Sequence, residues 1–344
     1  MHSQLKAFSE KKGLFFFGAS LFLVSIIIVA FAFFLSQLDS RLNRSMLLDV
    51  PRGSTILQLF KQIEVDGFIE INRPALRLFS KFTEDRGPIK AGKYDLVQGM
   101  TVREIIKLLR AGRVVDYRVT FPEGWTFNQW RKKLIGLPHL KKNIAGMSNH
   151  EIGELIGING DLEGWFFPDT YYYNFETSDL DLLENAFKRM KDIIALEWSN
   201  RSDRKILNTP YDAIILASLV EKETGYGPDR AKIGSVFLNR LRDKMKLESD
   251  PTVIYGLGDS FDGDLKRHHL RTDNPFNTYT RFGLPPTPIA SPGRESIKVV
   301  LSEVKSPYYF FVAMGNGRSY FSKTYKEHLA AVKRYQLGDS SRIQ

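Results

Sequence analysis

Residues 211–256 read YDAIILASLVEKETGYGPDRAKIGSVFLNRLRDKMKLESDPTVIYG, and the rest of the chain is organised around them. Pro210 and Asp212 can start a helix in which Ile214, Ile215, Ala217, Ser218, Leu219 and Val220 form nearly continuous apolar surface. Such a helix is buried, and it carries Glu221 and Glu223 to its C-terminal end, just before Gly225. A carboxylate there meets the negative end of the helix dipole and a dry neighbourhood, and both disfavour its ionised form. A glutamic acid that keeps its proton near neutral pH is what cleavage of a glycosidic bond requires, because the leaving oxygen must be protonated. Residues two apart on a helix point in clearly different directions. One glutamate then faces a cleft while the other pairs with Lys222, Arg230 or Arg240. The plain alternative is that both are helix-end charges held in salt bridges.

A second helix follows, with Ile233, Val236, Phe237 and Leu241 on one face and Asn239 and Arg240 on the other. Glu248–Gly256 reads as a polar turn and strand carrying Asp250, Thr252 and Tyr255. The segment 274–279, NPFNTY, is a polar and aromatic loop, and 283–293, GLPPTPIASPG, is stiffened by four prolines in the manner of a preorganised wall. Upstream, 163–173, EGWFFPDTYYY, crowds rings around Glu163 and Asp169. Rings that stack on sugar faces would make this stretch a substrate wall, and rings packed into a core are the alternative. Carboxylates among so many rings need partners.

The chain has 344 residues, 26% charged and 43% apolar, which describes a folded protein large enough for more than one unit. It has no cysteine, so thiol catalysis and cysteine-ligated metals are excluded. Its formal charge of +10 is spread among acidic residues without an aromatic and basic nucleic-acid motif, so a solvated surface is expected and no nucleic-acid partner. The segment 259–264, DSFDGD, lacks calcium-loop spacing, and His268 and His269 have no third ligand at metal spacing. No metal and no cofactor are expected.

Gly13–Leu35 carries no charge and, at about 1.5 Å per residue, is long enough for a hydrocarbon core of about 30 Å. A transmembrane helix is expected over 13–35, after a cytoplasmic tail at 1–12. Lys6, Lys11 and Lys12 before it, against Asp39, Arg41 and Arg44 after it, put the N-terminus in the cytoplasm. Residues 36–113 predict a small α+β module. Ser54 caps a helix bearing Ile56, Leu59, Phe60 and Ile63, Asn72 opens a second, Lys90–Val97 is a strand, and Thr101 with Glu104 boxes a third that ends at Gly112. A strand over Val114–Phe121 opens the larger domain, 114–339, in which Thr126 and Gln129 cap a further helix. A short tail, 340–344, ends the chain.

The runs LASLVEKETG, SVFLNRL, DPTVIYG, NTYT and GLPPTPIASPG, with EGWFFPDTYYY and AGKYDLVQGMTVREIIKLL, resemble the MltG (YceG-like) family of endolytic murein transglycosylases. The likeness takes in nearly all the chain after the apolar segment. It implies an α+β fold with a single-pass anchor in the cytoplasmic membrane, a LysM-like module, and a catalytic domain on the periplasmic or outer side. The implied substrate is the peptidoglycan glycan strand, cut internally between N-acetylmuramic acid and N-acetylglucosamine. The second glutamate of the family's E-K-E-T motif is its essential one and falls on Glu223. Where the motif usually continues with small or polar residues, this chain has Gly225-Tyr-Gly-Pro228. The implied reaction is a lyase step: Glu223 protonates the leaving oxygen, then acts as base on the C6 hydroxyl of the same muramic acid, closing a 1,6-anhydro ring. One carboxylate serves both steps because the nucleophile belongs to the substrate. Glu221, Asn239, Asp250, Thr252, Tyr255, Asn277 and Glu163 are the residues expected to orient Glu223 or grip the sugars. A hydrolase using Glu163, Asp169 or Asp250 on water, and a non-catalytic glycan-binding scaffold, are the competing readings. Peptidoglycan synthases and division or elongation proteins are the expected protein neighbours in the shared membrane plane.

Overall fold

The computed structural model describes residues 20–33, 36–82, 89–202, 206–302 and 306–337. The fold is α+β, with many helices and three two-stranded sheets among the described residues. Residues 20–33 are helical (α1), with Phe22 and Phe33 strongly exposed. Residues 13–19 and 34–35 of the expected span lie outside the described residues, as do the two tails at 1–12 and 340–344. Among the described residues no helix is long and apolar enough to cross a membrane.

Beyond α1 the described chain divides into two compact units, one reaching to Tyr117 and taking in Asn174–Glu176, the other holding the rest. In the first, β1 (Met46–Val50) pairs antiparallel with β2 (Gly92–Leu96), Leu48 opposite Tyr94. Alternation puts Leu48, Val50, Tyr94 and Leu96 inward and leaves Leu47 and Asp95 outside. Against this face lie α2 (Ile56–Val65), α3 (Arg73–Phe82) and α4 (Val102–Ala111), contributing Leu59, Phe60, Ile63, Leu76, Ile105 and Leu109. The cap of α2 is Thr55, not Ser54: Thr55 accepts from Gln58 N at 3.3 Å, while the Ser54 hydroxyl turns back to Pro51 O at 2.7 Å. The Thr101 and Glu104 box forms as expected, and Gly112 closes α4 at φ +63° with Lys90 where a Cβ would sit.

The second unit begins at Arg118, within β3 (Tyr117–Thr120), which is paired to β4 (Thr170–Tyr173). The strand expected from Val114 is shorter because Val115 donates instead to Lys93 O, at 2.7 Å. After β3 come α5 (Phe127–Gly136), boxed by Thr126 and Gln129, and α6 (Asn149–Ile156). The rings of the segment 163–173 are mostly core, the second of the two readings of this stretch. Phe166 stacks on Phe127, Trp165 on Tyr211, and the Tyr171 hydroxyl donates to Phe167 O; only Tyr172 of this stretch is largely exposed.

α7 (Asp179–Ser199) leads to α8 (Pro210–Glu223), in which every residue from Ala213 to Val220 is buried. Thr209 caps it, accepting from Asp212 N, and Pro210 supplies the preset φ of a first turn. Apolar on every side, α8 is surrounded by α7, α9 (Gly227–Arg242), α10 (Asp250–Leu257) and α12 (Arg294–Leu301). Gly234 of α9 admits Val299, whose Cγ1 would lie 2.5 Å from a Cβ there. The strand expected within 248–256 is instead α10: Ser249 takes the cap position, and Asp250 and Pro251 suit a first turn. A short α11 (Arg267–Arg271) precedes the proline-rich loop, and the hairpin of β5 (Phe310–Ala313) and β6 (Ser319–Ser322) with α13 (Tyr325–Tyr335) completes the unit.

Candidate active site

α8 ends at Glu223 because Thr224 turns extended, at φ −150° and ψ 132°. The two glutamates at this end part company, as their spacing requires. Glu221 is the paired one. It accepts from Arg230 at 3.2 Å, Gly293 N at 3.0 Å and the Ser296 hydroxyl at 2.7 Å. It thereby ties α8 to α9 and to the start of α12, and it makes no contact with Glu223. Glu123, on the turn after β3, faces this clamp across Arg230, and its carboxyl occupies the space a Cβ on Gly293 would need. Burial, and then the charge of Glu221, raise the Glu123 pKa.

Glu223 faces the other way. The Ser249 hydroxyl donates to its Oε1 at 2.5 Å. Burial pushes its carboxyl up from 4.5 to about 7, and the charge of Asp250 adds to the rise. The Ser249 hydrogen bond and the Arg240 guanidinium act in the opposite direction and do not outweigh burial. Asp250 is exposed at the start of α10 and accepts from the Tyr279 hydroxyl at 2.5 Å. Around Glu223 the structure thus gathers Ser249, Asp250, Tyr279 and Arg240. Of these only Asp250 stood among the expected site residues.

Ser249 is held from below. It is 1% exposed, its N–H donates to Thr278 Oγ1 at 2.9 Å, and its carbonyl accepts from the Thr252 hydroxyl at 2.7 Å. Thr252 and Thr278 share a further hydrogen bond of 2.9 Å. Thr252, fully buried, therefore braces the residue that touches Glu223 and does not touch Glu223 itself. Asn277 is also fully buried and donates to the carbonyls of His269, Leu270 and Thr272 while accepting from Tyr279 N. It shapes the loop that carries Tyr279 and has no surface for a sugar. Asn239 donates to the carbonyls of Ser306 and Tyr308, each at 2.9 Å, and fastens that segment to α9. These three are corrections: each spends its polar groups on backbone carbonyls, backbone N–H groups or neighbouring side chains of the fold, and none hydrogen-bonds Glu223.

Arg240 is the neighbour of Asn239 that reaches the site. It is 7% exposed and donates to Tyr309 O, Lys246 O, Leu247 O and Glu248 Oε2 at 2.7 to 3.1 Å. The turn leading into Ser249 hangs on this guanidinium.

Glu163 and Tyr255 meet each other. The Tyr255 hydroxyl donates to Glu163 Oε2 at 3.1 Å, and Glu163 also accepts from Phe127 N at the start of α5. Burial outweighs these bonds and raises Glu163 to about 7. The pair locks α10 to the segment between α6 and β4 and, through Phe127 N, to the first residue of α5, so it acts on the site through α10. Asp169, the remaining carboxylate considered for a water-activating role, pairs with Arg189 at 2.5 Å beside β4.

Ser249 and Tyr279 escaped the sequence reading because a serine in ESDPT and a tyrosine in NTYT carry no periodic signal. The one available clue was Ser249 standing directly before Asp250-Pro251, where a helix cap belongs.

This arrangement coincides with similarity to known proteins. The model of the YceG-like family matches residues 48–334. An endolytic murein transglycosylase of Bacillus subtilis is 31% identical over 308 residues, covering 84% of this chain and 84% of the relative. A protein of the same name from Streptococcus pneumoniae is 25% identical over 329 residues, 86% of this chain but 59% of the relative, so the chain spans little more than half of that longer protein. The crystal structure of a YceG-like protein of Listeria monocytogenes superposes with a TM-score of 0.54 at 29% identity, covering 84% of this chain and 99% of that one.

Proposed function

From the premise that this chain belongs to the YceG-like family, we propose that it is a lytic transglycosylase of peptidoglycan. It cuts the MurNAc–GlcNAc bond within glycan strands, leaves 1,6-anhydro-MurNAc ends and so terminates strand elongation. The observation that carries the reading is Glu223: a carboxyl raised to about 7 at the end of the buried helix α8, fixed by the Ser249 hydroxyl at the cap position of α10. Relatives that carry the name endolytic murein transglycosylase support it.

In the proposed reaction Glu223 enters protonated and gives its proton to the glycosidic oxygen as the C1–O bond breaks. Its carboxylate then takes the proton of the C6 hydroxyl of the same muramic acid, whose oxygen bonds to C1. The proton count balances and no water is consumed. Ser249 holds Glu223 Oε1, Asp250 favours the protonated form, and Arg240 steadies the carboxylate formed between the two steps.

The apolar segment 13–35 is read as a single-pass anchor in the cytoplasmic membrane, with the N-terminus inside and the folded units outside. The first unit, β1-α2-α3-β2-α4 on one antiparallel pair, is read as the LysM-like module. Peptidoglycan synthases and division or elongation proteins are its proposed neighbours in that membrane.

The test is mass spectrometry of products from uncross-linked glycan strands, with wild type beside Glu223→Gln. Internal fragments ending in 1,6-anhydromuramic acid, absent with the variant, are expected. Reducing-end fragments would instead mean a hydrolase, with Asp250 the carboxylate to examine. Intact binding without cleavage by either protein would mean a scaffold.

A further inference from the structure

Beside the turn that carries Ser249 lies a cavity of about 500 Å³, lined by Leu241, Lys244, Met245, Phe282 and Gly283. Its rim combines an exposed ring, lysine side chains and a tightly held turn. Phe282 is 68% exposed, and the Lys246 ammonium lies over its ring at 5.3 Å. Lys244 and Glu248 are both left-handed without being glycine, at φ +51° and +50°. At Lys244 it is the ordinary close of α9, with Lys244 N donating to Leu241 O at 3.2 Å and Met245 N to Arg240 O at 2.7 Å; at Glu248 it persists because the surroundings over-determine it. Here Arg240 supplies the constraint, through its hydrogen bonds to Lys246 O, Leu247 O and Glu248 Oε2.

Both walls of the cavity continue into the site. The turn Lys244–Glu248 runs directly into Ser249, which holds Glu223, and Phe282 follows the loop in which Tyr279 holds Asp250. The nearby carboxylates already have partners: Glu248 has Arg240, Asp273 has Arg281 and Asp243 has the Tyr309 hydroxyl. A ligand therefore meets an exposed aromatic ring with the Lys246 ammonium over one face and Lys244 on the cavity wall.

We propose that this cavity is a substrate subsite that takes a peptide-bearing saccharide of the glycan strand. The sugar's apolar face lies on Phe282, and Lys244 and Lys246 receive the carboxylates of the peptide stem. The inference rests on the glycan-cleaving reading and adds a preference to it: strands that keep their peptides are better substrates than stripped ones.

The experiment compares kcat/KM on uncross-linked strands with and without their peptides, the latter made with an amidase. Wild type stands beside Phe282→Ala and beside the double variant Lys244→Gln/Lys246→Gln, with thermal melting as the check on folding. Phe282→Ala is expected to lower kcat/KM about tenfold on both strands through a rise in KM. The double variant is expected to lower the ratio of peptide-bearing to stripped kcat/KM about tenfold. An unchanged ratio, or wild-type values for Phe282→Ala, overturns the subsite. Binding of both strand types to Glu223→Gln protein, with and without Phe282→Ala, separates the two readings. If wild type cleaves nothing, the cleavage reading fails, and the subsite stands only if Phe282→Ala still weakens binding about tenfold and the peptide-bearing strand binds more tightly.

Discussion

The Ser249 hydroxyl donates to Glu223 Oε1 across 2.5 Å, joining the cap position of α10 to the last residue of α8. The bond favours the ionised carboxylate, while burial and the charge of Asp250 favour the acid, and the acid prevails to about pH 7. Ser249 is thus a positioning residue that sets the direction of Glu223 and trims its pKa. Its own place is dictated by Thr252 and Thr278, which reach it from two different segments.

Cleavage should decline as pH rises through about 7, because the reaction starts from protonated Glu223. Asp250→Asn removes a charge that raises the pKa, so the alkaline limb of kcat/KM moves to lower pH. Ser249→Ala removes a bond that lowers it, so the limb moves to higher pH, and Ser249→Thr restores it. Profiles on uncross-linked strands from pH 5 to 9 would check this, and equal limbs in all four proteins would refute the electrostatic account.

Stability should carry the same signature. The folded pKa of about 7 exceeds the usual 4.5, so the folded state holds a proton that the unfolded chain releases. Stability therefore falls as pH rises from about 4.5 to 7, and the deficit stays constant above that range. Glu223→Gln removes this source of strain and should stabilise the protein by on the order of 1–3 kcal/mol at pH 8, with little effect at pH 4. Urea unfolding at the two pH values measures the difference. A variant equally stable or weaker at pH 8 would mean that the carboxylate is well solvated.

Asn239→Ala should cost stability without acting on the chemistry. It strands the carbonyls of Ser306 and Tyr308, a loss of about 1–3 kcal/mol. Cleavage per folded molecule, measured well below the melting temperature, is expected to stay close to wild type. A loss of turnover with unchanged unfolding would return Asn239 to the site.

Glu221→Ala should be more damaging to the fold than Glu223→Gln. It leaves Arg230 without its closest carboxylate and removes the acceptor of Gly293 N and Ser296. About 3–5 kcal/mol is expected for removing one partner of a buried ion pair. Hydrogen exchange should localise the loosening to the start of α12, and protection unchanged there would contradict the clamp.

Much of this was legible in the chain. Ile214–Val220 had to be buried because it is apolar on all sides, and the boxes of Thr101 with Glu104 and Thr126 with Gln129 are local chemistry within one turn. The two-residue spacing of Glu221 and Glu223 required that they diverge. Other positions were misread because local signals compete. Ser54 is the better cap by type, and only the approach of the chain chose Thr55. Val253-Ile254-Tyr255 has strand propensity, yet Pro251 and contact with α8 made it helical.

By itself, the sequence determined the buried helix, its two terminal carboxylates and the motifs that mark the family, since these depend on residue type and spacing along a few turns. Only the tertiary structure decided which polar residues serve the acid. Asn239, Thr252 and Asn277 are as polar as Ser249 and Tyr279, but buried backbone carbonyls and hydroxyls from distant segments claimed their hydrogen bonds first. A buried polar group must be satisfied by whatever the fold brings within about 3 Å, and that partner is set by packing and not by the order of the chain.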